Sequence, residues 1–490
     1  FKFYLNQPRN PARLAIALQR CQKPFDIPAR IIRAFRKQSS DMTSNTPQPA
    51  TFKPCGPLAG KISVPGDKSI SHRALIFSAL AVGKSRISGL LEGEDVLATA
   101  DALRSMGARI EKKDDVWTVH GVGVGGLMQP DNALDMGNSG TSTRLLMGLL
   151  ASHAISATFI GDASLTKRPM GRVIEPLSRM GADIRARETA DYKACLPLTV
   201  RGICPAIPVE YRLPVASAQV KSAILLAGLN TPGITRVIEP VLTRDHSETM
   251  LKGFGAQISV ETDAEGCRVI SLTGEAELQP QKIKVPGDPS SAAFLVVAAL
   301  IVPGSDIIIE NVGINPTRAG LFDVLQDMGG DIRFAKKRIV GGEPVADLHV
   351  RHSPLTGIDV PAEIAPSMID EFPILFVAAA MAAGETTTRG LHELRVKESD
   401  RLSQMAKGLG LLGVKLTEND DGLVIKGSGG EPLPGGRGKP VIETALDHRI
   451  AMSFAVAGLM TKSGLSIDDI RPVETSFPGF AELMTHLAGR

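Results

Sequence analysis

The chain has 490 residues, 43% hydrophobic and 22% charged, with a net charge of +3; this length suggests two or more domains, and the composition excludes wholesale disorder. Aromatics at 4% are too few for base-stacking nucleic-acid platforms, and no run of 18 apolar residues suits a membrane-spanning helix. Five cysteines without a C-x-x-C pair give neither a disulfide framework nor a zinc signature, which fits a reducing compartment.

The charge is uneven from the start. Residues 1–41 hold nine Lys/Arg and two Asp/Glu, a charge of +7, which leaves −4 for the chain from Met42. Residues 1–54 are therefore read as a basic head outside the globular body, disordered or non-native. Three origins stay open for residues 1–41: a targeting presequence, a nucleic-acid arm, or translated upstream sequence with Met42 as the start.

After the head the elements recur. Polar turns open apolar helices at Gly66-Asp67-Lys68-Ser69, Gly137-Asn138-Ser139-Gly140, Ala216-Ser217-Ala218-Gln219, Gly287-Asp288-Pro289-Ser290, Ser367-Met368-Ile369-Asp370 and Leu446-Asp447-His448-Arg449. Their Ser, Asp and Asn residues suit helix N-caps. The stretches Ala292–Ile301 and Ile374–Ala383 read as helices buried on most sides. A second helix in each unit ends on glycine. Gly107, Gly181, Gly255 and Gly329 are spaced by 74 residues, Gly413 comes 84 later, and Gly489 follows. Glycine just past a helix suits the left-handed closing position. Short strands come next, such as Arg109–Glu111 and Gln257–Val260. The pattern predicts six βα units, three in each of two globular halves. Lys61–Asp67 and Lys282–Asp288 nearly repeat one another, so the chain is expected to change halves at both points. The expected domains are 55–65 with 287–490, and 66–286.

Gly121-Val122-Gly123-Val124-Gly125-Gly126 matches a dinucleotide-binding string, but Pro130 follows soon after, and it is read as a glycine-rich turn. Cations at the helix mouths carry more information. Ser69 and Arg73 share a helix face behind Lys68, where free N–H groups already favour anions. Lys167, Arg168 and Arg172 form a cationic loop before another helix, Lys397 and Arg401 flank Glu398, and Arg449 opens a sixth helix. If the units face one another, these cations suit a ligand with several anionic groups. Two carboxylates stand beside them. Asp370 is either a base or an N-cap; Glu398 is either an acid–base group or half of a surface ion pair.

These motifs resemble the enolpyruvyl transferases, and within them the 5-enolpyruvylshikimate-3-phosphate synthase family, over roughly residues 55–489. The resemblance rests on Pro65–Arg73, Gly137–Thr141, Lys167–Met170, Arg395–Arg401 and Asp447–Arg449. Ser217–Lys221 and Thr475–Pro478 resemble the class II bacterial branch. It implies an α/β fold of two domains, three βα units each, with helices inside and sheets outside. It implies transfer of the enolpyruvyl group of phosphoenolpyruvate to shikimate 3-phosphate through a tetrahedral adduct, with no metal and no organic cofactor. By resemblance, Ser69, Arg73, Ser217, Ala218, Gln219 and Lys397 hold the shikimate phosphate. Lys68, Gly140, Arg168, Arg401 and Arg449 hold phosphoenolpyruvate, with Lys68 and Gln219 touching both substrates. Asp370 is implied as the base for the 5-hydroxyl, Glu398 as the acid for the enol methylene, and Lys68 as a partner in proton transfer. Arg244 falls where class I members have Tyr, and either contacts the sugar phosphate or pairs with Asp245. Thr475 falls where class I has Lys, which puts a phosphate contact there in doubt. Gly140 leaves room for a glyphosate-like phosphonate.

The close rival is a UDP-N-acetylglucosamine enolpyruvyl transferase, which usually carries a loop Cys; Gly161–Arg172 has none. The remaining rival is a non-catalytic anion-binding protein. The expected partners are the two small substrates, with no nucleic acid, no membrane and a monomeric state. The expected location is the cytoplasm, or a plastid only if residues 1–41 are a transit peptide.

Overall fold

The computed structural model describes residues 46–190, 193–435 and 441–489. Residues 1–45 of the basic head lie outside that range, and with them the question of its origin. The end of the head does not behave as expected. Ala50–Phe52 pairs antiparallel with Leu465–Ile467, and Phe52 packs on the core. The ordered body therefore begins before residue 55.

Among the described residues, six sheets of three or four strands form the outside. Each contains an antiparallel pair, and five take a further strand in parallel. Two of those parallel strands come from the near-repeated segments. Ala59–Ser63 joins Asp306–Gly313, and Lys282–Lys284 joins Val82–Ser88. Each segment thus completes a sheet in one half and then opens a helix in the other. The two crossovers touch: Asp67 N donates to Pro286 O at 2.8 Å, and Asp288 N to Pro65 O at 2.9 Å. Gly66 is needed at this approach, because a Cβ would stand 2.0 Å from Gly89 O.

Two separate apolar cores follow from this path. One gathers Leu58, Ile62 and Val64 with residues 292–487; the other runs from Ile70 to Val285. Six apolar helices pass through them: α1 Lys68–Leu80, α2 Gly140–Ala151, α3 Ala218–Leu229, α4 Pro289–Ile301, α5 Phe372–Met381 and α6 His448–Gly458. Every residue of α4 and α5 is buried. Such all-round burial explains why their sequences lack an amphipathic stripe. Among the described residues no single helix is long and apolar enough to cross a membrane.

The local signals read in the sequence have structural counterparts. Side chains of Asp67, Ser139, Ser217, Asp288 and Asp447 accept from backbone N–H groups at the mouths of α1, α2, α3, α4 and α6. The recurring glycines, from Gly107 to Gly489, have φ between 66° and 104°, the left-handed region that closes a helix. The glycine string at residues 121–126 ends a strand and turns, with no helix behind it. The fifth mouth departs from the pattern. α5 starts with no side-chain cap, and Asp370 faces elsewhere.

Candidate active site

The helix mouths of both halves open onto one cavity of about 470 Å³. All fourteen site residues expected from the sequence line it, together with residues the motifs did not single out, among them Asp95, Arg144 and Arg318. Ten Lys/Arg against five Asp/Glu in the lining leave it strongly cationic, so anions are favoured there.

At the amino end of α1, Lys68 Nζ meets Asp95 Oδ2 at 2.5 Å. One turn on, Arg73 is only 4% exposed; its Nε donates to Ser247 Oγ at 2.8 Å and Nη2 to Ser222 Oγ at 2.7 Å. Burial lowers its pKa to about 10, against the pull of Glu248 and Asp67. Ser222 and Ser247 also bond each other at 2.7 Å. Arg73 is therefore fixed behind Ser69 by neutral hydroxyls, which leave its charge unspent.

At the amino end of α2, Gly140 sits under two guanidinium groups. A Cβ there would stand 2.9 Å from Arg144 Nη1 and 3.2 Å from Arg168 Nη1. Arg144 Nη1 donates to Gln219 Oε1 at 2.8 Å, and Gln219 Nε2 to Thr141 Oγ1 at 3.0 Å. This chain joins the mouth of α2 to that of α3, where Ser217 caps and Ala218 begins the helix. Arg144 was legible in principle: it lies four residues after Gly140, on the same helix face.

The carboxylates come from the opposite half. Asp370 meets Arg244 Nη2 at 2.6 Å, Arg401 Nη1 at 3.1 Å and Lys397 Nζ at 3.3 Å. The expected N-cap alternative for Asp370 is thus replaced by an ion cluster. Likewise Arg244 does not pair with Asp245 but reaches Asp370, 126 residues away. Glu398 meets Arg401 Nη2 at 2.5 Å and Arg168 Nη1 at 3.5 Å. Arg401 is 1% exposed and spans both carboxylates, while its Nε donates to Asp447 Oδ2 at 2.9 Å. Arg449 Nη1 donates to Asp370 O at 2.9 Å. Burial favours the protonated acids here, yet the surrounding cations outweigh it. Lys397, Arg244, Arg449 and Arg401 hold Asp370 well below the usual carboxylate range, and Arg401 and Arg168 do the same for Glu398. The cations thus favour the ionised form of both acids.

Cations and carboxylates interleave across the cleft. Arg168–Glu398, Arg172–Glu393 at 2.6 Å and Arg244–Asp370 all join the two halves, so the cationic mouths do not simply repel one another. Thr475 lies outside the lining, with its hydroxyl donated to Pro472 O at 2.7 Å.

Two buried histidines give the folded chain a pH-dependent stability. Burial, with Lys68 and Arg73 adding to it, holds His72 well below 6.5; burial with Lys68 and Arg449 does so for His448. Both rings are neutral in the folded chain, whereas the unfolded chain takes up a proton on each below pH 6.5. Stability is thus intact above that pH and lost as pH falls below it. Tm is expected to be flat from about pH 8 to 7 and to decline steadily below about 6.5, with a shallower decline in His72→Gln. A Tm constant down to about pH 5 would contradict the neutral buried rings.

The comparisons with known proteins agree on a single family. The family model described as EPSP synthase (3-phosphoshikimate 1-carboxyvinyltransferase) matches residues 52–484. The 3-phosphoshikimate 1-carboxyvinyltransferase of Novosphingobium aromaticivorans is 66% identical over 438 residues, covering 89% of this chain and 98% of that one. The protein of the same name from Zymomonas mobilis is 68% identical over 441 residues, covering 90% and 96%. Among solved structures, EPSP synthase from Acinetobacter baumannii superposes with a TM-score of 0.78 at 47% identity, covering 90% of this chain and 98% of that one. The enolpyruvyl transferase NikO from Streptomyces tendae, at 19% identity and a TM-score of 0.69 with coverage of 90% and 98%, shares the fold.

Proposed function

The chain belongs to the EPSP synthase family, and we propose that the cation-lined cleft between its two halves is where it performs that family's reaction. It is an enolpyruvyl (1-carboxyvinyl) transferase: it moves the enolpyruvyl group of phosphoenolpyruvate to the 5-hydroxyl of shikimate 3-phosphate and releases phosphate. The observation that carries the assignment of residues is Arg401, whose guanidinium holds Asp370 on one nitrogen and Glu398 on another. Two ionisable acids are thereby set side by side in a site built for anions.

Asp370 takes the proton of the 5-hydroxyl as its oxygen attacks C2 of phosphoenolpyruvate, and Glu398 delivers a proton to the methylene carbon. In the resulting tetrahedral adduct the now ionised Glu398 takes a proton back from the new methyl group, and phosphate leaves with the proton first drawn from the 5-hydroxyl, relayed from Asp370 through Lys68, which restores the double bond. Ser69, Arg73, Ser217, Ala218, Gln219, Arg244 and Lys397 bind the shikimate ester. Lys68, Gly140, Arg168, Gln219, Arg401 and Arg449 bind phosphoenolpyruvate, and Lys68 assists proton transfer. Both acids have depressed pKa values beside unshielded cations. Substrate phosphate and carboxylate groups compensate those cations on arrival, which raises both pKa values. Asp370 thus gains basicity, and Glu398 its proton, when the substrates are in place. The preorganised cations then stabilise the adduct and the departing phosphate.

Arg244 and the Ser217–Lys221 motif support the class II branch. The bacterial relatives support a cytoplasmic location. The decisive experiment is phosphate release from phosphoenolpyruvate with shikimate 3-phosphate, set against UDP-N-acetylglucosamine. Absence of turnover with the shikimate ester overturns the reading.

Gly140→Ala tests the phosphoenolpyruvate end. Its methyl would press on the flexible tips of Arg144 and Arg168 rather than on backbone, so the fold tolerates it. The KM for phosphoenolpyruvate is expected to rise about tenfold, with the KM for shikimate 3-phosphate within about twofold. Glyphosate, competing for the same space, should lose affinity in parallel. Equal KM changes for both substrates would place Gly140 elsewhere.

A further inference from the structure

Between the strand Asp306–Gly313 and the helix Gly320–Asp327, the segment Asn315-Pro316-Thr317-Arg318 reaches from the 287–490 half onto the other half. Asn315 Nδ2 donates to Asp245 Oδ1 at 2.8 Å and to Glu343 Oε2 at 3.0 Å. Thr317 is held in place through Asn315 Oδ1, which accepts from its backbone N–H at 3.0 Å and its hydroxyl at 2.9 Å. The other oxygen of Glu343 meets His246 Nδ1 at 2.9 Å. Arg318 Nη1 lies 3.4 Å from Asp67 Oδ2 and 3.5 Å from Ser69 Oγ; Nη2 lies 3.1 Å from Asp288 Oδ1 and 2.7 Å from Ser290 Oγ. Asn315, Thr317 and Arg318 are all buried, at 7%, 8% and 4% exposure. Hydrogen bonds to charged partners are strong in such surroundings.

The partners of this segment adjoin one end of the cleft. Asp245 follows Arg244, which meets Asp370. Asp67 caps the helix that begins at Lys68 and Ser69. None of the segment's own hydrogen bonds or ion pairs reaches Gly140, Arg168, Arg401 or Arg449.

We propose that Asn315–Arg318 is a positioning strap for the sugar-phosphate end of the site: gripping Asp245 and Asp67 from the opposite half, it sets Arg244 and Ser69 in register with Asp370 for shikimate 3-phosphate. The inference rests on Arg244 and Ser69 being sugar-phosphate contacts. Asn315 acts through Arg244, so its removal matters only while Arg244 is present. Arg318 acts through the two crossovers, where its planar fork spans both aspartates as a lysine would not.

The test is a double-mutant cycle read by calorimetric binding of shikimate 3-phosphate to the full chain, with KM for both substrates and Tm recorded. Asn315→Ala should weaken shikimate 3-phosphate about tenfold in the unsubstituted chain but less than about twofold in an Arg244→Ala background, with the KM for phosphoenolpyruvate nearly unchanged. Arg318→Lys, which keeps the charge, should weaken the same ligand selectively. Equal losses in both Arg244 backgrounds, parallel rises in both KM values, or a lowered Tm with normal binding would overturn the strap. An Arg244→Ala protein that binds shikimate 3-phosphate normally would instead overturn the assignment of Arg244, a result read before the cycle is closed.

Discussion

Asp370→Asn is expected to lower kcat about a thousandfold, in the middle of the range for a lost general base, while shikimate 3-phosphate binds at least as tightly as before. Both halves of that expectation come from the same ion cluster. The amide is close to the carboxylate in size and keeps hydrogen-bonding capacity, so Arg244, Arg401 and Lys397 stay near their places. It cannot take the proton of the 5-hydroxyl. It also removes a negative charge that competes with substrate anions for three cations, which favours binding of the phosphate ester. Single-turnover measurement of kcat with calorimetry of shikimate 3-phosphate separates the two effects. Turnover near that of the unsubstituted chain would leave Asp370 as a counter-ion for Arg244 and Arg401. Weakened binding with modest loss of kcat would make it a structural member of the cluster.

What the sequence disclosed and what it concealed divide along contact distance. Helix mouths and closing glycines are local devices, and six-fold recurrence made them readable. Asp67 caps three residues ahead, and Gly107 needs only the helix before it. The near-repeat at Lys61 and Lys282 exposed both crossovers, because the same strand-and-turn chemistry serves each. The motif cations were visible for the same reason. The pairings that decide chemistry were not. Arg244 lies beside Asp245 in sequence, and that neighbour was a natural partner, yet the bond goes to Asp370 across the cleft. Asp370 precedes an apolar helix, as a cap would, yet it turns to the cations. The strap at Asn315–Arg318 sends its bonds to Asp245 and Asp67, 70 and about 250 residues away. A tertiary fold creates such pairs, and one sequence without them on adjacent turns carries no periodic trace of them. The basic head misled in a milder way: its charge pattern ends near residue 41, but strand pairing at Ala50–Phe52 depends on a partner near residue 466.

Lys221→Met should cost about 3–5 kcal/mol of stability, the range for breaking a buried ion cluster by removing one member. Lys221 is fully buried at the third residue past the mouth of α3, with Nζ 2.9 Å from Glu239 Oε2 and 2.8 Å from Glu248 Oε1. Methionine fills similar volume, so the loss is electrostatic: two buried carboxylates remain without their principal cation, with Arg268 only at 3.8 Å from one of them. Burial already raises the pKa of Glu239 against the opposing charge of Lys221. Without that charge it rises further, so the folded variant binds protons more readily than the unfolded chain. Its stability therefore falls as pH rises above 4.5, the ordinary carboxyl value, and the deficit should be larger at about pH 8 than at about pH 5. Urea unfolding at both pH values measures this, and adding Glu248→Gln should recover part of it. The site feels the same break. Glu248 lies on the helix His246–Gly253 beside Ser247, which holds Arg73. A loosened helix shifts that guanidinium, so the folded fraction of the variant should show a raised KM for shikimate 3-phosphate. A loss under about 1 kcal/mol that does not vary with pH would mean that water, rather than Lys221, compensates the two glutamates.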